Sequence, residues 1–172
     1  MKSEPTIRRY ESCDRDGVWT VHDTALRAAM AEYDPEYNRY LRHVERAFLD
    51  GGEFLVGERS GEIVVIGGFQ PCDSPAAYPD GVFRSLDTTA EATAHVRSVA
   101  VEPSVQSSGL GTELLTELHE RARDRGFETV ILSTTPSLSA AHRFYRGHEY
   151  EELATETDES GSVTHHWFGR RL

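Results

Sequence analysis

The segment from His95 to Thr134 constrains the fold more than any other part of this 172-residue chain. It opens with the valine-rich run HVRSVAV, which predicts a strand that ends at Pro103, because proline supplies no N–H to a β-ladder. A helical apolar stripe then runs from Leu110, and Gly126 is placed to end that helix. The stripe consists of Leu114, Leu115, Leu118 and Ala122. The run TVILST, Thr129 to Thr134, predicts a second buried strand, so the whole predicts a parallel, right-handed β-α-β unit.

The loop between the first strand and the helix reads QSSGLGT. Gly109 and Gly111 lack a Cβ, so a ligand can approach the main chain, and amides before the first helical turn have no helical partner. Such a loop predicts a phosphate site. A Walker loop is excluded because Thr112 stands where lysine is required, and a dinucleotide fingerprint lacks its third glycine at Leu114. The remaining pattern, Q-x-x-G-x-G, starts at Gln106.

Two motifs together resemble a known family. VEPSVQSSGLG resembles the signature Q/R-x-x-G-x-G/A of the GNAT superfamily of N-acetyltransferases, and SLSAAHRFYRGHEY resembles its A-x-x-F-Y motif. The resemblance implies an α/β acyltransferase fold, with a mixed central β-sheet flanked by α-helices and an acetyl-CoA-binding β-α-β core at about 94–150 of a single domain 1–172. It also implies direct transfer of acetyl from acetyl-CoA, a cosubstrate, to a primary amine of a small molecule or protein, without a metal.

The resemblance further implies where acetyl-CoA binds. In this family the cofactor lies between the two parallel strands, with its pyrophosphate on the amides of the glycine loop. The main chain of Val99 and Val101 is expected to pair with the pantetheine arm, and the Val99 amide to stabilise the developing oxyanion. The expected cofactor contacts are Val99, Ala100, Val101, Gln106, Ser107, Ser108, Gly109, Leu110, Gly111, Thr112 and Ser139.

Tyr145 occupies the family's general-acid position, where its O–H would protonate the departing thiolate; packing against the sheet is the alternative role. An alkyl ammonium, whose pKa is about 10.4, must lose a proton before it attacks. His95 stands where some members carry a base glutamate, and alternation predicts that it shares a face with Arg97 and Val99. In the alternative, ordered water relays this proton to Glu91, Glu102 or solvent.

The chain departs from the family pattern at two places. Leu138 stands where asparagine is common, so a pantetheine hydrogen bond comes from Ser137 or Ser139, or is missing. Glu149 stands where glycine usually precedes an aromatic residue, and Gly147 is expected to take over that turn.

The remainder predicts elements that fit this fold. Thr6 to Glu11 predicts a first strand, and a helix starts at Asp14 or Asp16 and runs through the sequence AEY. EYNRYLRHVERAFL predicts a second helix, with Tyr37 and Leu49 on its apolar face.

A hairpin follows, with strands at Glu53 to Glu58 and Glu62 to Phe69 and a turn around Ser60 and Gly61. Pro71 to Thr93 predicts a long loop that helps to form the acceptor site.

Composition and charge indicate the environment in which the protein works. The net charge is −11 and Lys2 is the only lysine, which is typical of proteins from salt-loving microbes, although an ordinary acidic protein is the alternative. The missing basic patch argues against nucleic acid, and the missing long apolar run and signal peptide argue against a membrane and favour a cytoplasmic protein. Cys13 and Cys72 are expected to be isolated thiols.

Other assignments stay open. A non-catalytic acyl-CoA-binding or sensing module and a purely structural partner domain are the alternatives to an enzyme, and a homodimer is compatible with either. A metal site at His165 and His166 is not expected, because neighbouring strand residues face opposite sides.

Overall fold

A computed structural model describes residues 4–172, so Lys2 lies outside the described residues. The strands are β1 (Thr6–Arg9), β2 (Glu53–Arg59), β3 (Glu62–Pro71), β4 (Thr93–Val101), β5 (Thr129–Thr134), β6 (Glu151–Thr157) and β7 (Thr164–Arg171). The α-helices are α1 (Arg15–Ala29), α2 (Val44–Phe48), α3 (Val82–Ser85), α4 (Leu110–Asp124) and α5 (Ser139–Gly147). Short 3₁₀ segments cover Ser12–Asp14, Pro35–His43, Pro75–Ala77 and Pro103–Val105. None of the helices in this described part is long and apolar enough to cross a membrane.

The seven strands form one mixed sheet in the order β1-β2-β3-β4-β5-β7-β6. By internal contacts the chain divides into two compact units. The first unit runs through Gln70 and takes in Arg97–Arg121, and the second unit comprises Pro71–Val96 and Ala122–Leu172. The prediction of a single domain stays a prediction.

The first unit is built on antiparallel strands β1, β2 and β3. Its core buries aromatic and aliphatic side chains of α1, α2 and the strands, among them Val18, Phe48 and Phe54. Glu53, which is buried, accepts hydrogen bonds from Arg9 at 2.9 Å and Arg121 at 3.0 Å. Two guanidinium partners therefore compensate the cost of burying this carboxylate.

The second unit contains the parallel pair that the sequence predicts. Thr93, Ala94 and His95 of β4 pair in parallel register with Thr129, Val130 and Ile131 of β5. β5 then pairs antiparallel with β7, and β7 with β6. A separate apolar cluster around Cys72, Val82, Leu86, Ala90, Ile131 and Trp167 forms the core of this unit.

Helix α4 follows the prediction closely. Its stripe residues Leu114, Leu115, Leu118 and Ala122 are fully buried. Gly126 has φ +92° and donates to the carbonyl of Arg123, while the Phe127 amide donates to that of Ala122. These two bonds form a Schellman motif, which ends the helix at the predicted glycine.

Helix α5 ends in the same motif without a glycine. The amide of Glu149 donates to the Arg146 carbonyl, and that of Tyr150 to the Tyr145 carbonyl. Glu149 takes the left-handed conformation itself, with φ +65°, so the expectation that Gly147 takes over the turn is wrong. The Tyr145 and Tyr150 rings, 5.4 Å apart, supply the apolar contact that accompanies this motif and offsets the strain at Glu149.

Predicted and observed elements differ in three further places. The first strand and helix stop at Arg9 and Ala29, earlier than predicted. The predicted second helix is a 3₁₀ segment that kinks at Asn38 and continues as α2, which leaves Tyr37 76% exposed. The predicted hairpin is confirmed, whereas the predicted loop Pro71 to Thr93 contains a 3₁₀ turn and α3.

Burial of His22 in α1 predicts sensitivity to acid. Its side chain is 5% exposed, and Nδ1 has no hydrogen-bond partner among the described residues. Burial lowers the pKa of His22 from 6.5 to about 4, so the unfolded chain binds the proton first as the pH falls. Above about pH 6.5 His22 is neutral in both states and does not lower the free energy of unfolding. As the pH falls from 6.5 to 4, the free energy of unfolding decreases by on the order of 3 kcal/mol.

His22→Leu should therefore flatten the pH dependence of the free energy of unfolding between pH 6.5 and 4, measured by urea denaturation. The matched control His43→Gln, at an exposed histidine, should keep the wild-type slope. Equal slopes in His22→Leu and wild type would contradict the assignment.

Candidate active site

The predicted phosphate loop is exposed and contains two left-handed residues. Gln106, Ser107, Ser108 and Gly109 are all exposed, and α4 begins at Leu110. Ser107 has φ +61° and Gly109 has φ +89°. A Cβ placed on Gly109 would meet nothing within 4 Å, so its conformation, rather than protein packing, favours glycine.

Side chains on either side of the loop brace its shape. Gln106 donates from Nε2 to the Val101 carbonyl at 3.1 Å, and the Ser108 hydroxyl donates to the Val105 carbonyl at 2.5 Å. The Glu102 carboxylate accepts from the Ser104 amide at 2.9 Å. The motif glutamine therefore ties the loop to the end of β4. With the loop fixed, the amides at the first turn of α4 are oriented to bind an anion.

Strand β4 contains an irregularity that alternation does not predict. Ser98 has φ +60° in the middle of the strand. The Arg97 guanidinium lies 4.1 Å from the centroid of the Tyr40 ring, whereas Val99 points toward α4, where a Cβ on Gly67 would meet Val99 and Leu114. The expectation that Arg97 and Val99 share a face is therefore wrong, because the left-handed residue between them reverses the alternation.

His95 lies among aromatic side chains of the second unit. The Tyr78 hydroxyl lies 3.3 Å from its Nδ1, and the rings of Tyr78 and Trp167 lie 5.5 and 5.3 Å from the imidazole. Cys72 is buried in the same unit, and this burial raises its pKa to about 11. Cys72 is therefore a protonated thiol at neutral pH. The Tyr78 hydroxyl and the two aromatic rings fix the orientation of the His95 imidazole.

Tyr145 is buried on α5, and this burial raises the pKa of its hydroxyl well above the ordinary value. A phenol in that state keeps its proton at neutral pH, as a proton donor must. Ser139 is exposed at the first position of α5, and Leu138 at the N-cap makes no side-chain capping bond.

The predicted site residues fall into two groups. Val99, Ala100, Val101 and the loop from Gln106 to Thr112 belong to the first unit, and His95, Ser139 and Tyr145 belong to the second. In the described part of the chain, no three His, Cys, Asp or Glu residues are grouped to bind a metal ion.

Comparison with known proteins assigns the family. The sequence profile of the acetyltransferase (GNAT) family matches residues 18–150, well over half of the chain. The chain belongs to the GNAT family. This membership confirms the resemblance and the predicted class of enzyme, an acetyltransferase, at the level of the family.

Individual relatives extend the comparison. A mycothiol acetyltransferase from Sanguibacter keddieii is 28% identical over 145 residues, which cover 81% of this chain and 41% of that protein. The chain thus spans about two fifths of the length of this relative.

Solved structures share the fold. A GNAT acetyltransferase from Staphylococcus aureus Mu50 has a TM-score of 0.79 at 15% identity, with 98% of this chain and 99% of that one covered. The yncA protein from Salmonella typhimurium, solved with its cofactor acetyl-CoA, has a TM-score of 0.71 at 22% identity, with 99% and 95% covered. These similarities confirm the predicted GNAT fold.

Sequence reasoning missed three neighbours of this site: Tyr40, Ser98 and Tyr78. Tyr40 lies in the segment predicted as one continuous helix, and Tyr78 in the segment predicted as a loop, so neither had a predicted contact with β4. Nothing in the sequence marks Ser98, because serine rarely adopts a positive φ.

Gly111→Val should weaken acetyl-CoA binding by about ten-fold or more, since a branched side chain at the start of α4 blocks approach to the main chain. Gly109→Val should act likewise, but it also strains a residue with φ +89°. Calorimetric titration gives the dissociation constant.

Glu120→Val is the matched control, because it adds the same side chain at an exposed position of α4. Unchanged acetyl-CoA affinity in a folded Gly111→Val variant would show that this loop does not bind the phosphate groups of acetyl-CoA.

Proposed function

We propose that this protein transfers an acetyl group from acetyl-CoA directly to a primary amine. One observation supports the proposal most strongly: the exposed loop of this GNAT chain, with left-handed residues at Ser107 and Gly109, leads directly into the first turn of α4. Backbone amides in that arrangement bind phosphate groups. In the proposal, the amides from Gln106 to Thr112 bind the cofactor pyrophosphate.

The strands supply the proposed contacts with the rest of the cofactor. β4 and β5 both continue past their last registered pair, His95 with Ile131, as far as Val101 and Thr134. The main chain of Val99, Ala100 and Val101 is proposed to pair with the pantetheine arm, as an added strand would. The exposed hydroxyl of Ser139 is proposed to take the place of the usual asparagine.

The proposed reaction needs three proton transfers. His95 accepts a proton from the ammonium form of the acceptor, and the free amine attacks the thioester carbonyl. The Val99 amide stabilises the resulting oxyanion, and the C–S bond then breaks. Tyr145 protonates the departing thiolate, and the nitrogen of the new amide passes its surplus proton to the Tyr145 phenolate, which restores the acid. The products are an N-acetylated amine and free coenzyme A.

The acceptor is proposed to approach through the segment from Pro71 to Thr93. Within the second unit this segment helps to form a surface cavity of about 440 Å³. Its lining includes two acidic residues, Asp80 and Asp87, two aromatic residues, Tyr78 and Phe83, and one basic residue, Arg84. Carboxylates and aromatic faces attract a cation, and here they outnumber the single guanidinium, so a protonated amine suits this lining.

The purified protein should release coenzyme A when acetyl-CoA is mixed with a panel of amines, and mass spectrometry should show one acceptor heavier by one acetyl group. The panel covers polyamines, aminoglycosides, amino acids and peptide N-termini. Binding of acetyl-CoA without turnover on any class would favour a sensing module instead. Failure to bind coenzyme A at all would favour a structural partner domain.

The pH profile of kcat/KM separates the two proposed catalytic residues. His95→Ala should lower the rate at neutral pH and remove the acidic limb of the profile, with recovery at high pH where the amine deprotonates by itself. Tyr145→Phe should lower kcat by up to about 10²–10⁴-fold and keep that limb, because burial raises the pKa of Tyr145 far above it. An acidic limb retained in His95→Ala would favour a water relay, and wild-type turnover of Tyr145→Phe would leave it a packing residue.

We also propose that the protein is adapted to high salt inside a cell. The net charge of −11 supports this, because dissolved ions screen the repulsion between carboxylates over distances beyond about 10 Å at 0.1 M salt. The melting temperature should therefore rise steadily from 0.1 to about 3 M potassium chloride, followed by circular dichroism. A melting temperature that is flat or falls over this range would instead indicate an ordinary acidic protein.

A further inference from the structure

Ser98 adopts a conformation that serine normally avoids. Its φ of +60° lies in the left-handed region, which is unfavourable for an L-residue because its Cβ crowds the following carbonyl oxygen. Residues held in this way persist only where the surrounding structure determines their conformation. The contacts of Ser98 and its neighbours should therefore include what holds the turn.

Tyr40 makes those contacts. Its hydroxyl lies 2.8 Å from Oγ of Ser98, and its ring lies 4.1 Å from the guanidinium carbon of Arg97. Arg97 also donates from Nη1 to the side-chain oxygen of Gln70 at 3.4 Å. The Tyr40 ring packs 6.1 Å from that of Phe48, which is buried in the core of the first unit. One side chain, fixed to the core, thus contacts two consecutive residues of β4.

The turn at Ser98 sets the orientation of the next peptide group. Because Ser98 is left-handed, Arg97 lies on the Tyr40 side and Val99 on the α4 side. The direction of the Val99 amide depends on the backbone angles of Ser98, since that amide belongs to the peptide that follows it. If Ser98 relaxed into ordinary extended backbone, the amide would rotate away from its present direction.

We propose that Tyr40 is a positioning residue that orients the Val99 amide by holding the left-handed turn at Ser98. The proposal rests on the proposed function, in which that amide stabilises the oxyanion. Tyr40 acts in it only through Ser98. Its hydroxyl forms a hydrogen bond with Ser98, and its ring makes a cation–π contact with Arg97.

Two variants remove the hydrogen bond from opposite sides. Tyr40→Phe keeps the ring, and Ser98→Ala keeps the strand but removes the hydroxyl. Each should lower kcat about ten-fold or more with a smaller change in acetyl-CoA affinity, because the loop from Gln106 to Thr112 still binds the pyrophosphate and a displaced oxyanion donor acts mainly in the transition state. The double variant should be no slower than either single variant, since both remove the same contact. Tyr37→Phe, at an exposed tyrosine of the same 3₁₀ segment, is the matched control and should keep wild-type rates.

A second readout does not depend on activity. In Tyr40→Phe the amide resonance of Val99 should move. Adding Ser98→Gly should restore both the resonance and kcat, because glycine adopts a positive φ without an anchor.

The outcomes separate the two proposals. A Val99 resonance unchanged in Tyr40→Phe and Ser98→Ala would overturn the positioning role. A resonance that moves while kcat stays at the wild-type value would support the positioning of the amide and overturn its oxyanion role in the proposed function.

Discussion

The buried stripe of α4 is the constraint on which the candidate site depends. Leu114, Leu115 and Leu118 are fully buried, and full burial of one such side chain stabilises the fold by about 1.5–3 kcal/mol. This packing fixes the helix, and the Schellman motif at Gly126 fixes where it ends. The amides at the start of α4 therefore lie in a fixed position, although the residues of the loop before them are exposed to solvent.

Local strain appears at two positions that precede this anchored helix in the chain. Ser98 and Ser107 adopt a positive φ although neither is glycine. A hydrogen bond with Tyr40 holds Ser98, and hydrogen bonds from the Gln106 and Ser108 side chains to backbone carbonyls hold the loop. Non-glycine residues of this kind are concentrated where function needs a particular direction of the main chain. Their position, next to the proposed pyrophosphate loop and oxyanion donor, agrees with a main chain shaped to bind a ligand.

The sequence predicted the β-α-β core well because its signals are local and mutually consistent. β5 runs from Thr129 to Thr134 as predicted, α4 begins at Leu110, and Gly126 ends it. The prediction of one continuous helix from Glu36 to Leu49 was wrong, because apolar spacing does not distinguish a kinked 3₁₀ segment from a continuous helix. The kink at Asn38 and the exposure of Tyr37 depend on packing against the rest of the unit.

The finer features of the site were beyond sequence reasoning for a related reason. Residue type predicts a positive φ at glycine, so Ser98 and Glu149 gave no signal, and the reversal between Arg97 and Val99 followed from one of them. The neighbours of His95 were equally hidden, because Tyr78 reaches it from a segment with no regular pattern. The catalytic roles of His95 and Tyr145 stay predictions.

In the proposed function, the loop from Gln106 to Thr112 and the main chain from Val99 to Val101 bind acetyl-CoA. Titration of the ¹⁵N-labelled protein with acetyl-CoA, followed by amide resonances, tests it most directly. We expect the largest and saturable changes on these two segments, and ADP alone, which carries a pyrophosphate, should reproduce those of the loop. Binding that leaves the loop resonances in place, or changes confined to other parts of the chain, would contradict it.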